Sequence, residues 1–183
     1  PFALRRAALG VIRIIVDGKL NLPLAPVLQV AAKGYGFAAV DVDLLPFIRD
    51  RLRGYLRDKQ MRHDVVAVTL ANADGDDVRL MAARATALAD FLTTPDGYGL
   101  MTSWRRVSSI LTAEEKKAER AFVASSDPTL FNDIEQALFT PLSKIPDNHA
   151  DVDAQLAALG ALRLPIEAFF DKIVVNDDDP KIR

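Results

Sequence analysis

Apolar residues return at intervals of three and four through almost the whole chain, the repeat of an amphipathic helix. Leu4, Ala7, Ala8, Val11, Ile12 and Ile15 form the first stripe, which Asp17-Gly18 closes. Pro23 and Pro26 punctuate the next stretch, where a short helix is expected over 25–33, and Gly34-Tyr35-Gly36 turns the chain. A helix then starts near residue 44, with Asp41 or Asp43 able to cap it and Pro46 in its first turn. His63-Asp64 opens a short helix over 63–71, and Asp74-Gly75-Asp76-Asp77 is a turn and cap before a longer one over 76–93. Thr93-Thr94-Pro95-Asp96-Gly97 breaks that helix and the next runs over 98–112. The charge cluster from Ala113 to Arg120 extends it or joins two helices. Asp127-Pro128 reads as a cap followed by proline at the first helical position. Leu130, Ile134, Ala137, Leu138 and Pro141 mark that helix and its end. Two more are expected over 150–162 and 165–175, separated at Leu164-Pro165, before the turn Asn176 to Pro180.

Sustained period-two alternation is absent. The β-branched runs Ile14-Ile15-Val16 and Ile173-Val174-Val175 each sit inside a helical pattern. The expected fold class is all-α, a multi-helix bundle of seven to nine helices, divided near residue 40.

The helix containing Phe47 to Asp58 carries the most information. At about 100° per position, Leu44, Leu45, Ile48, Leu52, Tyr55 and Leu56 share an arc of about 120°. Arg49, Arg53 and Arg57 run along one edge of that arc at i, i+4, spanning roughly 12 Å. Guanidiniums in such a row repel by a few tenths of a kcal/mol per pair, which Asp50 and Asp58 partly offset. Two readings fit. The arginines border a buried face, stems on apolar surface and heads in water. Alternatively, the row binds a polyanion, each planar fork taking two phosphate oxygens.

Half of the 183 residues are hydrophobic and about a quarter are charged, ordinary values for a globular protein. The chain has no cysteine, which removes disulfides, thiolate zinc sites and a cysteine nucleophile. No run approaches the roughly 18 apolar residues of a membrane span, and no signal peptide is visible. The opening Pro1-Phe2-Ala3-Leu4 lies inside an apolar-periodic segment without an initiator Met, so the chain is expected to be a fragment of a longer protein. Residues 1–62 carry a net charge of +6 and the remainder −8, so any contact with nucleic acid would be local.

Little in the chain could run a reaction unaided, and no catalytic residue or metal ligand set is assigned. His63-Asp64 is the adjacent pair that HD-type metal phosphohydrolases use. The one other histidine is His149, too few ligands for such a site. Asp177-Asp178-Asp179 reads as a solvated turn. The phosphate-binding glycine loops and the Gly-x-Ser-x-Gly nucleophile motif are absent, and Gly34-Tyr35-Gly36 alone is weak. Trp104-Arg105-Arg106 lies mid-helix. Leu100, Trp104, Val107 and Leu111 share one face, which predicts a core or half-buried Trp104. The alternative is a stacking platform for unpaired bases beside two arginines. One of Phe169 and Phe170 is expected in the core, with Lys172 and Asn176 as polar candidates at the same end.

Several segments, in order, resemble the C-terminal part of the beta subunit of bacterial glycyl-tRNA synthetase. They are Pro1 to Ile14, Phe47 to Tyr55, Arg62 to Val66, and Phe169-Phe170-Asp171-Lys172-Ile173-Val174-Val175-Asn176. Trp104 to Leu111 resembles the family's Tyr-Lys-Arg-x-x-Asn-Ile-Leu segment, departing at Trp104, Arg105 and Ser109. The resemblance implies that residues 1–40 close a preceding HD-like domain and add a linker. Residues 41–183 would form a helical anticodon-binding domain similar to that of arginyl-tRNA synthetases, and one further helix would follow. It implies a cytoplasmic parent enzyme, two alpha and two beta chains, that joins glycine to its tRNA using ATP and magnesium, with adenylate chemistry in the alpha chain. No cofactor is expected in the fragment, and neither a membrane nor DNA is an expected partner. The candidate RNA-binding residues are then Arg49, Arg53, Arg57, Trp104, Arg105, Arg106, Lys172 and Asn176. The alternative function is a helical module for subunit assembly without RNA contact.

Overall fold

The computed structural model describes residues 2–40, 43–71, 75–118, 131–146 and 151–172. Among these residues the structure is helical, without a strand: α1 (Phe2–Asp17), α2 (Leu24–Gly34), α3 (Leu44–Asp58), α4 (His63–Ala71), α5 (Val78–Thr93), α6 (Pro95–Ala118), α7 (Asp133–Leu142), α8 (Val152–Gly160) and α9 (Arg163–Lys172). The all-α expectation therefore holds. By contacts the chain forms two compact units, Pro1–Asp90 and Phe91–Arg183. The boundary expected near residue 40 concerns family modules rather than contact density and stays an expectation.

In the first unit α3 packs on α1 and on α4. Ile12 and Ile15 of α1, Leu52 and Leu56 of α3, and Val65 and Val66 of α4 are buried, as are Val78, Met81 and Ala85 of α5. Three helices of this unit end in the same hydrogen-bonded motif, with one residue in the left-handed region. After α2 that residue is Gly36, φ 80°, and the amide of Phe37 reaches back to the carbonyl of Ala32 at 2.9 Å. After α1 it is Lys19, φ 52°, with Leu20 bonded to Ile15 at 2.9 Å; after α3 it is Gln60, φ 64°, with Met61 bonded to Leu56 at 3.2 Å. Gly18 serves close approach instead, because a Cβ there would lie 2.4 Å from the carbonyl oxygen of Ile14.

The turn before α5 ties three helices together. Asp76 accepts from the amide of Ala25 through its side chain and from that of Leu24 through its carbonyl, at 3.4 Å for the latter, supplying the cap that Pro23 cannot give α2. Asp77 caps α5 by accepting from Leu80 at 2.8 Å. Gly75, φ 88°, presents its carbonyl to the guanidinium of Arg49. Of the two expected caps, Asp43 occupies the N-cap position of α3 in helical conformation and makes no side-chain capping bond, and Asp41 lies outside the described residues.

In the second unit α6 packs on α8 and α9, and α7 on α9. The cluster from Ala113 onward continues α6 as far as Ala118. Two expected boundaries move. The helix containing Ile134, Ala137 and Leu138 starts after Asn132, whose side chain accepts from Ile134 and Glu135 at 2.9 and 3.0 Å, while Glu135 accepts from the Asn132 amide at 2.9 Å. Asp127-Pro128 lies outside the described residues. The break between the last two helices falls at Ala161-Leu162, and Pro165 sits within the first turn of α9. An amide there would have no partner within the helix, so proline costs nothing in hydrogen bonding.

Candidate nucleic-acid interface

The arginine row on α3 divides according to how the helix is packed. Arg49 is half-buried and its Nη2 donates to the Gly75 carbonyl, so it braces the turn that caps α2. Arg53 is about half exposed, with Nη1 3.3 Å from Asp50 Oδ1. Arg57 is exposed in the last turn, where a cation is favoured by the helix dipole. Arg51, which the spacing argument passed over, pairs with Asp50 and lies over the Phe47 ring at 5.5 Å. The first unit has a net charge of +3 and the second −5. Arg53 and Arg57 are thus the members of the row open to solvent.

Asp64 receives two hydrogen bonds from Arg62, at 3.1 Å from Nε and 2.6 Å from Nη2. That guanidinium holds the Asp64 carboxyl below its usual range, and the Asp64 carboxylate raises Arg62 in turn. Asp64 also accepts from the Val65 amide at 2.9 Å, so the His63-Asp64 pair opens α4. Among the described residues no group of three His, Cys, Asp or Glu side chains could hold a metal ion. His149, Asn176 and Asp177 to Asp179 lie outside the described residues.

On α6 the expectation of a core Trp104 is overturned: the residue is 60% exposed. Its ring borders an apolar cavity of about 760 Å³. Leu100, Val107 and Ile110 of α6, Leu138 and Leu142 of α7, and Leu159, Ile166 and Phe169 of α8 and α9 also line it. The shared face read from the spacing is real, but it lines an open groove, and Trp104 stands on its rim. Phe169 and Phe170 are both half-buried, edge to face at 5.5 Å between centroids, so neither is a fully buried core residue. Arg105 is exposed, and Lys172 is exposed in the last turn of α9.

Arg106 is exposed and lies over the Phe170 ring, 4.1 Å from its centroid. This contact joins α6 to α9 along a second, polar cavity of about 640 Å³. Tyr98, Gly99, Thr102, Ser103 and Arg106 line one wall; Arg163, Glu167, Phe170 and Asp171 line the other. Arg163 is held 3.0 Å from Asp96 and 3.7 Å from Glu167. Gly99 makes room for it, since a Cβ there would fall 2.4 Å from Arg163 Cδ. Reading the sequence found Arg106 and missed its surroundings. The signal on α6 was present as Tyr98, Thr102 and Arg106, spaced i, i+4, i+8.

Residues 1–71 match the family model described as glycyl-tRNA synthetase beta subunit. Over its whole length the chain is 37% identical to the protein named glycine--tRNA ligase beta subunit of Ruegeria sp. (strain TM1040). These matches make the chain similar to aminoacyl-tRNA synthetase subunits. More narrowly, the likeness is to the glycyl-tRNA synthetase beta subunit, and the chain spans 27% of the length of that relative. Among the described residues no helix is long and apolar enough to cross a membrane.

Proposed function

We propose that this chain is the tRNA-binding part of a glycine–tRNA ligase beta chain, acting at the anticodon region. The observation that carries the reading is the match along the full chain to a glycine--tRNA ligase beta subunit. The exposed Arg53 and Arg57 on a rigid helix, and Arg105 and Arg106 on α6, supply the cations such contact needs. The parent enzyme would pair this beta chain with an alpha chain, two of each, in the cytoplasm. It would use ATP and magnesium to charge glycine tRNA, and the present chain would contribute binding rather than chemistry. The test is binding of glycine tRNA, with its natural anticodon or a replaced one, across a salt series. Each single-strand phosphate neutralised contributes about −0.7 to the logarithmic salt slope. Arg53→Ala with Arg57→Ala should therefore flatten it by about 1.4. An unchanged slope removes the row from the interface, and equal affinity for both anticodons places base recognition elsewhere.

The apolar cavity supports a second reading, a subunit-assembly module without RNA contact, because an open apolar groove suits a helix from a partner. Co-elution with the alpha chain, together with no salt-sensitive RNA binding, would favour it.

A further inference from the structure

We propose that the polar groove between α6 and α9 is a pocket for one unpaired RNA base, read by its edge and not by its phosphate. The proposal rests on the RNA-binding reading above and adds the place and the chemistry of recognition. Its floor is preformed. The Arg106 guanidinium is stacked on Phe170 at 4.1 Å, and Phe169 packs edge-on against Phe170. A planar cation fixed on an aromatic ring offers a flat surface to a base. At the rim stands Tyr98, 71% exposed, on the same α6 face as Thr102 and Arg106. An exposed tyrosine beside such a platform is a second stacking surface that costs little entropy to order.

Charge decides between base and phosphate. The two guanidiniums of the groove, Arg106 and Arg163, face two carboxylates, Glu167 and Asp171. Arg163 is also held by Asp96. The groove therefore has no excess positive charge to draw a phosphate. It does offer fixed acceptors for the amino and imino hydrogens of a base and fixed donors for its carbonyl and ring nitrogens. Its volume of about 640 Å³ falls within the range of small-ligand pockets. Gly99 keeps it in this shape, because a larger residue would push Arg163 out of place.

The test uses the full chain, wild type and variants, and a stem-loop RNA carrying the glycine anticodon loop. The RNA is also made with a single abasic site at each loop position in turn. Tyr98→Ala and Phe170→Leu should each weaken binding about 5- to 150-fold, the loss expected for one stacked base, without altering the salt slope. One abasic position should cause the same loss, and RNA abasic there should no longer distinguish wild type from Tyr98→Ala. Circular dichroism checks that each variant is folded. Should Phe170→Leu lose helicity, the exposed Tyr98→Ala decides alone. If the RNA binds through Arg53 and Arg57 while Tyr98→Ala binds like wild type, the pocket is refuted and the wider reading stands. If Tyr98→Ala changes the salt slope, or its effect is shared equally by all abasic positions, the groove is not a base pocket. If wild type binds no RNA, both the wider reading and the pocket fall.

Discussion

Tyr55→Phe probes the seam between α1 and α3 with a single oxygen. The phenol donates to Asp17 Oδ1 at 2.7 Å, and the residue is 5% exposed. Burial, then the hydrogen bond to Asp17 and its negative charge, push the phenol from 10.0 up to about 12, while Arg13 pulls the other way. A group whose proton is held more tightly in the folded state stabilises the fold fully below the unfolded value. That stabilisation is lost as pH rises from about 10 through about 12. Two units correspond to about 2.7 kcal/mol as an upper bound, since each is worth about 1.36. Asp17 is exposed and the Lys59 ammonium lies over the Tyr55 ring at 5.5 Å, so solvent and a cation reach the pair. Screening reduces the expected contribution to about 1 to 2 kcal/mol. At pH near 8 the variant should be less stable by about 1 kcal/mol, less than the roughly 1.5 to 3 of a hydrogen bond to a charged group because Asp17 is exposed. The assay is urea denaturation of wild type and variant at steps from about pH 8 to about pH 11.5. The gap should shrink above pH 10 and close or reverse by the end of the series. A gap that stays constant would refute the coupling between Tyr55 ionisation and the α1–α3 seam. So would a wild-type-minus-variant absorbance titration that finds the phenol ionising at 10.

Leu52 is fully buried at the centre of α3, so Leu52→Ala should destabilise the first unit by about 2 to 5 kcal/mol; a loss under 1 in denaturation would mean α3 is not its core helix. Asn132→Ala removes the side-chain acceptor of the α7 capping box, leaving the backbone amide that donates to Glu135, and should cost about 1 kcal/mol, read as a lowered thermal midpoint of the second unit. Gln60→Gly should stabilise by about 0.5 to 1 kcal/mol, because Gln60 holds φ 64° at the end of α3 and glycine adopts it without strain.

The first five helices could be read from the helical spacing of their apolar residues, and they fall within two residues of expectation. The ends were harder. Asp17-Gly18 looked like a glycine C-cap, yet the left-handed residue is Lys19, and Gly18 is required by its approach to the Ile14 carbonyl. Leu164-Pro165 looked like a break because proline usually starts a new element. Its missing amide is equally harmless inside a first turn, and the chain uses it there. Composition cannot choose between such alternatives, since both put the same residue near the same helix end.

Side-chain function was less readable for a related reason: periodicity names a face but not what the face meets. Arg49, Arg53 and Arg57 are equivalent in spacing, and only the turn at Gly75 separates a bracing arginine from two exposed ones. Trp104 shares the apolar face of α6, yet that face lines a groove, so the same pattern yields an exposed ring instead of a core one. The polar groove could not be read at all, because half of it comes from α6 and half from α9, far apart in the chain. Arg163, Glu167 and Phe170 become neighbours of Arg106 only when the two helices pack. Arg106 shows the consequence. In sequence it is one of two adjacent cations beside a tryptophan. In the fold it turns from that tryptophan to Phe170, and the surface that could recognise a base lies where no contiguous motif exists.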